Sequence, residues 1–212
     1  MNTIETTLTK NHKQENFPVG SWLLSKEIRP QILVFYKFAR AADDIADSPK
    51  LNPKEKIRRL NLFKEAIKGN KAKVSKVFKL KKVCKENKIN LNYALNLLKA
   101  FKQDAVKKRY KNWSELINYC KHSAVPVGRF VIDLHKEQSI TYKYSDPLCI
   151  ALQILNHIQD CKDDYKNIDR VYLPSTFLKK HNVKLDQLNK GYTEKNLRFA
   201  INDILIHTEK LI

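Results

Sequence analysis

Glycine and proline are scarce in this sequence, which has 4 Gly and 7 Pro among 212 residues. A turn-rich all-β protein needs more of both residues at its turns. No segment alternates apolar and polar residues over the length of a strand, so we predict no sheet. The abundant Leu, Lys, Ala, Asn and Ile favour helices instead, and 42% hydrophobic residues suffice for a globular core. The expected fold class is all-α.

Long hydrophobic runs and a secretory leader are also missing. The longest apolar candidate, residues 32–36, ends at Lys37 and is far too short to span a membrane. The first ten residues, MNTIETTLTK, lack the basic start and apolar stretch of a signal peptide. The 4 cysteines form no CxxC pair, which indicates reduced thiols in the cytosol. We therefore predict a cytoplasmic protein.

Signatures of nucleic-acid binding are absent, although the formal net charge is +19. The densest basic stretch, residues 50–88, carries 15 basic and 3 acidic residues but no RNA-binding, zinc-finger or basic-zipper motif. We predict no nucleic-acid partner. Two interpretations of the charge stay open: a solvated, lysine-rich surface, or an electrostatic contact with the inner face of an anionic membrane.

Apolar spacing places the expected helices along one domain, residues 15–212, after a polar segment at 1–14. The helix that begins at Pro53 is expected to stop at Gly69. A break is expected near Pro126 and Gly128, and residues 169–183 are expected to form a loop with one helical turn. The predicted helices cover residues 29–47, 54–68, 72–86, 91–107, 113–134, 146–165 and 193–211.

A first acidic cluster, Asp43, Asp44 and Asp47, stands at the end of the predicted helix 29–47. Asp43 and Asp47 are four residues apart, so they share one face about 6 Å apart along the axis. Their charges repel each other and also meet the electronegative end of the helix dipole. A divalent cation would relieve both conflicts, which makes the three carboxylates candidate Mg²⁺ ligands.

A second polar cluster, Asn156, Asp160 and Asp164, steps by four through the predicted helix 146–165. An amide and two carboxylates on one face form a second candidate Mg²⁺ site. Asp163 lies beside that face. Either cluster alone would be read as a solvated acidic helix end, but two clusters on separate helices predict opposed metal sites that bind one diphosphate. No glycine-rich phosphate loop is present, which excludes a P-loop or Rossmann site.

These motifs resemble the squalene/phytoene synthase family, and within it most closely the bacterial hydroxysqualene synthase branch of hopanoid biosynthesis. The similarity covers residues 15–178. Its motifs are ENFPV at 15–19, FARAADDIAD at 38–47, Phe101, Gln103-Asp104, Arg109-Tyr110, Tyr119-Cys120, SA at 123–124, PVGR at 126–129, Asn156, Gln159-Asp160, Asp164 and RVYLP at 170–174.

The resemblance implies an all-α class I isoprenoid synthase fold, Mg²⁺ dependence and a prenyl diphosphate substrate. It implies that the two clusters described above bind Mg²⁺, and that Arg40 pairs with diphosphate oxygens, as a bidentate donor can. Gln159 is assigned to the diphosphate site in the same way. Arg129 and Arg170 contact diphosphate or form structural ion pairs, and Tyr119 faces the cavity or is an ordinary core tyrosine.

The implied reaction converts presqualene diphosphate to hydroxysqualene, or condenses two farnesyl diphosphates head to head. Phytoene synthesis stays open as well, because packing rather than motif sets the depth of a cavity. The alternative function is that of a shortened, non-catalytic member that acts as a binding or assembly partner. Family members continue for several helices after the YLP segment, whereas this sequence ends at Ile212.

From this difference we expect an open groove with slow turnover, and self-association or membrane contact at its uncovered side. The apolar walls expected to be partly exposed are Phe38, Leu98, Phe101 and Ile154.

Overall fold

The computed structural model describes residues 24–70 and 72–212, within which ten α-helices form. Short 3-10 helices occupy Ser139–Thr141 and Leu185–Asn189. The segment predicted at 1–14 and the motif at 15–19 lie outside the described residues. The helices are α1 (Arg29–Asp47), α2 (Pro53–Lys68), α3 (Ser75–Asn87), α4 (Asn92–Asp104), α5 (Trp113–Ser123), α6 (Val125–Leu134), α7 (Tyr142–Gln159), α8 (Cys161–Ile168), α9 (Ser175–Lys180) and α10 (Lys195–Glu209).

The all-α prediction is confirmed, since the described part of the chain contains no strand. Its only β-type pairing there is an isolated parallel bridge between Arg109 and Val171. Two compact units form, and each is described by itself. The first unit comprises the described residues up to Val106 together with 126–141, and the second comprises 107–125 and 142–212.

The first unit is built around α1, which packs against α2, α3 and α4. Its apolar residues recur at helical spacing, so one side of the helix is buried, with Phe38, Ala42 and Ile45 fully enclosed. The ring of Phe38 lies 6.0 Å from that of Phe63 on α2. This packing fixes the direction in which the end of α1, with its acidic cluster, presents its polar residues.

Local sequence sets the ends of α2 as predicted. The Asn52 side chain accepts a hydrogen bond of 2.9 Å from the Glu55 backbone N–H, and Pro53 occupies the first turn. At the other end Gly69 adopts φ +92°, and its N–H donates to the Ala66 carbonyl while the Asn70 N–H donates to the Glu65 carbonyl. A glycine suits this position because side chains rarely tolerate that backbone conformation.

In the second unit α7 packs against α5 and α10, and α10 packs against α9. The short helix α8 contacts the 3-10 helix at Leu185–Asn189. All 4 cysteines of the sequence are free thiols, in agreement with the sequence prediction. No helix of the described residues is long and apolar enough to cross a membrane.

The predicted break near Pro126 and Gly128 is displaced to Ala124. Helix α5 ends at Ser123 and α6 begins at Val125, with Pro126 in its first turn and Gly128 inside the helix. Proline is tolerated in a first turn because its missing N–H would have no helical partner there. The proline therefore marks the start of the new helix.

The prediction of one continuous helix over 146–165 is wrong. Helix α7 begins earlier, at Tyr142, accommodates Pro147 and ends at Gln159, and α8 starts at Cys161. Asp160 stands between them with φ −93° and ψ 2°. This is the bridge region of backbone conformation, which interrupts the helix without reversing the chain.

The expected exposure of apolar walls is also wrong. Phe38, Leu98 and Ile154 are at most 1% exposed and Phe101 is 9% exposed, because neighbouring helices cover them. The exposed apolar residues of the second unit include a row along α7 instead. Its members are Leu148, Leu152 and Leu155.

Truncation of Phe38 should test this packing. Phe38→Ala is expected to lower the free energy of unfolding by about 3–5 kcal/mol, because it removes a fully buried ring and leaves a cavity. Phe78→Ala is the matched control, since that phenyl ring is 73% exposed. Urea unfolding of both variants measures the difference. Equal, small losses in the two variants would show that Phe38 is not a core residue.

Candidate functional site

The first acidic cluster lies at the end of α1, where one arginine bridges two of its carboxylates. Arg40 Nη1 is 3.1 Å from Asp43 Oδ2, and Arg40 Nη2 is 3.0 Å from Asp44 Oδ1. The Asp44 side chain has no exposed surface, whereas the Asp43 side chain keeps 30% of its surface exposed. Asp43 is therefore accessible to a ligand, and Asp44 is held by Arg40.

The electrostatics of Asp43 are dominated by burial and by other acids. Burial, followed by the Asp47 carboxylate, raises the pKa of Asp43 well above its usual range, and Asp104 and Asp44 add to this rise. Arg40 acts in the opposite direction but does not cancel them. The site thus holds more negative charge than its surroundings stabilise.

Asp104 is a member of this site whose role sequence reasoning missed. It stands at the end of α4, is only 3% exposed and lies close enough to Asp43 to raise its pKa. The sequence carried a signal, because Gln103-Asp104 belongs to the motifs quoted above. Its position next to the α1 carboxylates depends on the packing of α4 against α1, which periodicity does not reveal.

This donor set fits Mg²⁺ by its chemistry. Carboxylate oxygens suit a hard divalent cation. Burial, and secondarily the neighbouring carboxylates, raises the pKa of Asp43, and a cation would stabilise the charged form that they disfavour. The described residues contain no preformed group of three or more His, Cys, Asp or Glu side chains placed to hold a metal. Mg²⁺ commonly binds through one or two carboxylates and completes its coordination with water and substrate phosphates, so this geometry is compatible.

The second cluster belongs to the second unit and spans the break between α7 and α8. Hydrogen bonds preserve the four-residue spacing across the break. The Asp160 N–H donates to the Asn156 carbonyl and the Asp164 N–H donates to the Asp160 carbonyl, both at 2.9 Å. The three residues are all partly exposed. The predicted four-residue spacing on one face is therefore kept, although two helices carry it rather than the single helix that was expected.

Two acids of this region lie at the N-terminal end of a helix, whereas those of the first cluster lie at a C-terminal end. Asp163 and Asp164 occupy the first turn of α8, where the helix dipole stabilises negative charge. Asp164 and Asp160, after burial, also raise the pKa of the Cys161 thiol. The charge conflict inferred for the first cluster is therefore weaker here. The prediction that both clusters line one cavity stays a prediction.

A buried aromatic and cationic network surrounds Tyr119 in the second unit. Arg170 Nη1 donates to the Tyr172 hydroxyl at 3.2 Å, and that hydroxyl lies 3.3 Å from the Tyr119 hydroxyl. The His157 ring stacks on Tyr172 with centroids 3.6 Å apart. All four residues are at most 7% exposed. In this structure Tyr119 has the surroundings of a core tyrosine.

Backbone pairing between two loops brings this network together. The Val171 N–H donates to the Lys108 carbonyl at 2.9 Å, and the Ser175 N–H donates to the Tyr110 carbonyl at 2.8 Å. The Tyr110 ring in turn contacts those of Tyr119 and Tyr172 at 5.4 and 5.1 Å between centroids. The RVYLP motif is thus held against the segment that precedes α5.

The remaining predicted diphosphate ligands differ in their settings. Gln159 is exposed at the end of α7, and Arg129 is partly exposed on α6 of the first unit. Arg170 is 3% exposed and is engaged by the Tyr172 hydroxyl. A diphosphate role stays a prediction for all three. Arg40, by contrast, forms ion pairs with two carboxylates of the first acidic cluster.

His157 is a further residue that sequence reasoning passed over. Burial, and secondarily the Arg170 guanidinium, lowers its pKa to about 3. Gln153 Nε2 lies 3.2 Å from His157 Nε2, and a neutral imidazole can accept a hydrogen bond from the Gln153 amide at that atom. The histidine is therefore neutral at physiological pH and acts as a flat, uncharged partner of Tyr172.

Acid should destabilise the protein through His157. Its folded pKa of about 3 is below the unfolded value of 6.5, so its contribution is complete above pH 6.5 and is lost progressively as the pH falls toward 3. In that window the unfolded state binds one more proton, which gives a slope of up to about 1.4 kcal/mol per pH unit. Urea unfolding between pH 7 and pH 4 measures this slope.

His157→Phe keeps a ring against Tyr172 but removes the titration, so its stability should depend less steeply on pH. His135→Phe alters an exposed histidine and serves as the control. A slope that is unchanged in His157→Phe and reduced in His135→Phe would contradict the assignment.

Solved structures with the same fold support the architecture. The crystal structure of squalene synthase HpnC from Alicyclobacillus acidocaldarius matches with a TM-score of 0.77 and 26% identity, over 94% of this chain and 76% of that chain. A crystal structure of a dehydrosqualene synthase in complex with ligand matches with a TM-score of 0.80, over 94% of this chain and 71% of that chain. At 21% identity, this second likeness concerns the fold alone.

Sequence comparison defines the family. The squalene/phytoene synthase family profile matches residues 10–212. A hydroxysqualene synthase of Rhodopseudomonas palustris is 39% identical over 96% of this chain and 70% of that protein, and one of Sinorhizobium fredii is 38% identical over 95% and 69%. A phytoene synthase of Mycobacterium tuberculosis is 27% identical over 80% of this chain and 56% of that protein. The resemblance in the motifs is confirmed: this chain belongs to the squalene/phytoene synthase family of isoprenoid synthases.

Proposed function

We propose that this chain converts presqualene diphosphate to hydroxysqualene in a Mg²⁺-dependent reaction. The observation that carries the proposal is the partly exposed Asp43 carboxylate at the end of α1, which Arg40 bridges to Asp44. Burial, followed by the carboxylates of Asp47, Asp104 and Asp44, raises the Asp43 pKa. A divalent cation with its diphosphate ligand suits such a site. The product is proposed from the two relatives named hydroxysqualene synthase, which are 38–39% identical.

Asp43 and Asp47 are the proposed Mg²⁺ ligands of the first cluster, and Asn156, Asp160 and Asp164 those of the second. Asp44, whose carboxylate is buried against Arg40, would assist by orienting that arginine. When bound, Mg²⁺ supplies neutralisation of the charge that develops on a departing diphosphate.

The proposed chemistry balances without a reductant. The carbon–oxygen bond to diphosphate breaks, and diphosphate leaves with the electron pair. The cation rearranges, water adds to carbon and a proton is released. The proposed roles of the protein are to bind diphosphate through Arg40, Gln159, Arg129 and Arg170, and to limit the access of water by its apolar helices. Tyr119 is proposed to lie near the developing cation or the leaving group.

Farnesyl diphosphate condensation and phytoene synthesis are the alternative reactions of this site. The relative named phytoene synthase is less similar, at 27% identity, which favours hydroxysqualene as product. The non-catalytic alternative is not favoured, because the relatives quoted above are named as synthases. Slow turnover, self-association and the absence of a nucleic-acid partner stay predictions.

Neutralising one ligand of either cluster tests the proposal. Asp47→Asn or Asp164→Asn should slow Mg²⁺-dependent pyrophosphate release from presqualene diphosphate by about 100-fold or more, since several kcal/mol of transition-state stabilisation depend on the metal. Without Mg²⁺, the free energy of unfolding of Asp47→Asn should hold or rise, because the change removes a repelling charge. That of Asp164→Asn should fall slightly, because the change removes a charge that the dipole of α8 stabilises. Pyrophosphate release, the lipid product and urea unfolding are the three measurements.

Asp163→Asn and Asp186→Asn are the controls, since both alter exposed aspartates. Wild-type protein should also unfold at a higher temperature with Mg²⁺ and inorganic pyrophosphate than without them, and Asp47→Asn should lose part of this shift. Full turnover in both ligand variants would overturn the metal assignment. A squalene or phytoene product from the wild type would overturn the product assignment and leave the metal assignment standing.

A further inference from the structure

The exposed side of α3 combines one aromatic ring with a row of lysines. Phe78, Lys81, Lys82 and Lys85 follow the spacing i, i+3, i+4 and i+7, which places them on one face of the helix. Lys88 follows at the end of the helix with φ 56°. We call these five residues the α3 basic face. The Phe78 side chain is 73% exposed.

A cleft of about 1240 Å³ opens beside this face in the first unit. Its buried lining is apolar and includes Val77, Cys84 and Ile89, which are at most 6% exposed. Its rim carries the lysines of the α3 basic face together with Lys73. The surface is therefore amphipathic, with an apolar floor to the cleft and positively charged lysines at its rim.

The lysines of this segment far outnumber its own acidic residues. Residues 73–88 contain seven lysines and one acid, Glu86. Within α3, Lys82 Nζ lies 3.9 Å from Glu86 Oε1, and this largely exposed ion pair contributes little to stability. Burial, followed by the charge of Lys79, lowers the pKa of Lys76. The segment therefore carries a concentrated positive potential.

We propose that the α3 basic face is a docking surface for an anionic lipid bilayer. The lysines lie where phosphate headgroups would contact them, and Phe78 would enter the boundary between headgroups and acyl chains. A solvated lysine-rich surface accounts for the charge but not for an exposed phenyl ring on the same face or an apolar cleft beside it. The proposal is independent of the metal sites.

Other anions fit this surface less well. A small diphosphate would gain nothing from the exposed phenyl ring. Single-stranded nucleic acid stacks on successive aromatic side chains, but Phe78 is the only aromatic residue of α3. Charge complementarity and the single apolar anchor together favour a membrane surface.

Sedimentation of the full chain with vesicles tests the proposal. The chain should bind phosphatidylcholine vesicles that contain phosphatidylglycerol, and should not bind vesicles of phosphatidylcholine alone. Binding should weaken as salt is added, because salt screens exposed charges. Equal binding to both vesicle types, or no binding to either, would overturn the proposal.

Variants then locate the contact. Lys82→Gln, Lys85→Gln and Lys88→Gln together should weaken binding by about 100-fold, at about five-fold per lysine near an anionic surface. Lys81 is left in place because its Nζ also contacts the Ala66 carbonyl at 3.3 Å. The matched control removes the same amount of positive charge from the second unit. It replaces the exposed lysines Lys166, Lys179 and Lys195 with Gln.

The aromatic anchor has its own pair of variants. Phe78→Ser should weaken binding to anionic vesicles several-fold, whereas Phe199→Ser, which alters a 47% exposed ring on α10, should not. Equal losses in the two lysine triples would show that net charge alone acts, and would contradict a specific face. Displacement of the chain from vesicles by inorganic pyrophosphate at low concentration, or tighter salt-resistant binding to RNA, would also contradict it.

Discussion

The concentration of negative charge at the end of α1 is the constraint on which the candidate site depends. Asp43 is placed by a buried helix face, and the carboxylates of Asp47, Asp104 and Asp44 act on it together with burial. Arg40 holds two of these acids but does not cancel their effect. Without a bound cation, the protein bears both the burial of the Asp43 carboxylate and the repulsion from its acidic neighbours. A divalent cation removes both costs, which links the packing of α1 and α4 to metal binding.

In the second unit, buried polar side chains are stabilised by hydrogen bonds and ring contacts. Its buried network is cationic and aromatic, with Arg170, Tyr172 and Tyr119 joined by hydroxyl contacts, and His157 kept neutral by burial and by Arg170. Such a network is rigid because each member packs against rings as well as donating or accepting hydrogen bonds. Its stability should fall in acid, whereas protonation of Asp43, whose pKa burial and acidic neighbours raise, relieves repulsion at the first cluster.

Helix boundaries set by local chemistry were predictable from the sequence. Helix α1 has the predicted bounds, because apolar periodicity and Ser48-Pro49 define them, and Gly69 ends α2 as expected. The break at Asp160 was missed because Asn156, Asp160 and Asp164 keep helical spacing on both sides of it. The burial of Asp104 and His157 depends on which helices pack together, and a single sequence does not encode that pairing in its periodicity.

The pKa of Asp43 is the most direct measure of the central claim that charge crowding prepares this site for Mg²⁺. Carbon-13 NMR of labelled aspartate side chains, assigned with Asp43→Asn, would follow its titration with and without Mg²⁺ and pyrophosphate. The account predicts a titration well above the usual aspartate range in the free protein, and a clear shift to lower pH when Mg²⁺ and pyrophosphate are added. An ordinary aspartate pKa in the free protein, unaffected by Mg²⁺, would contradict it.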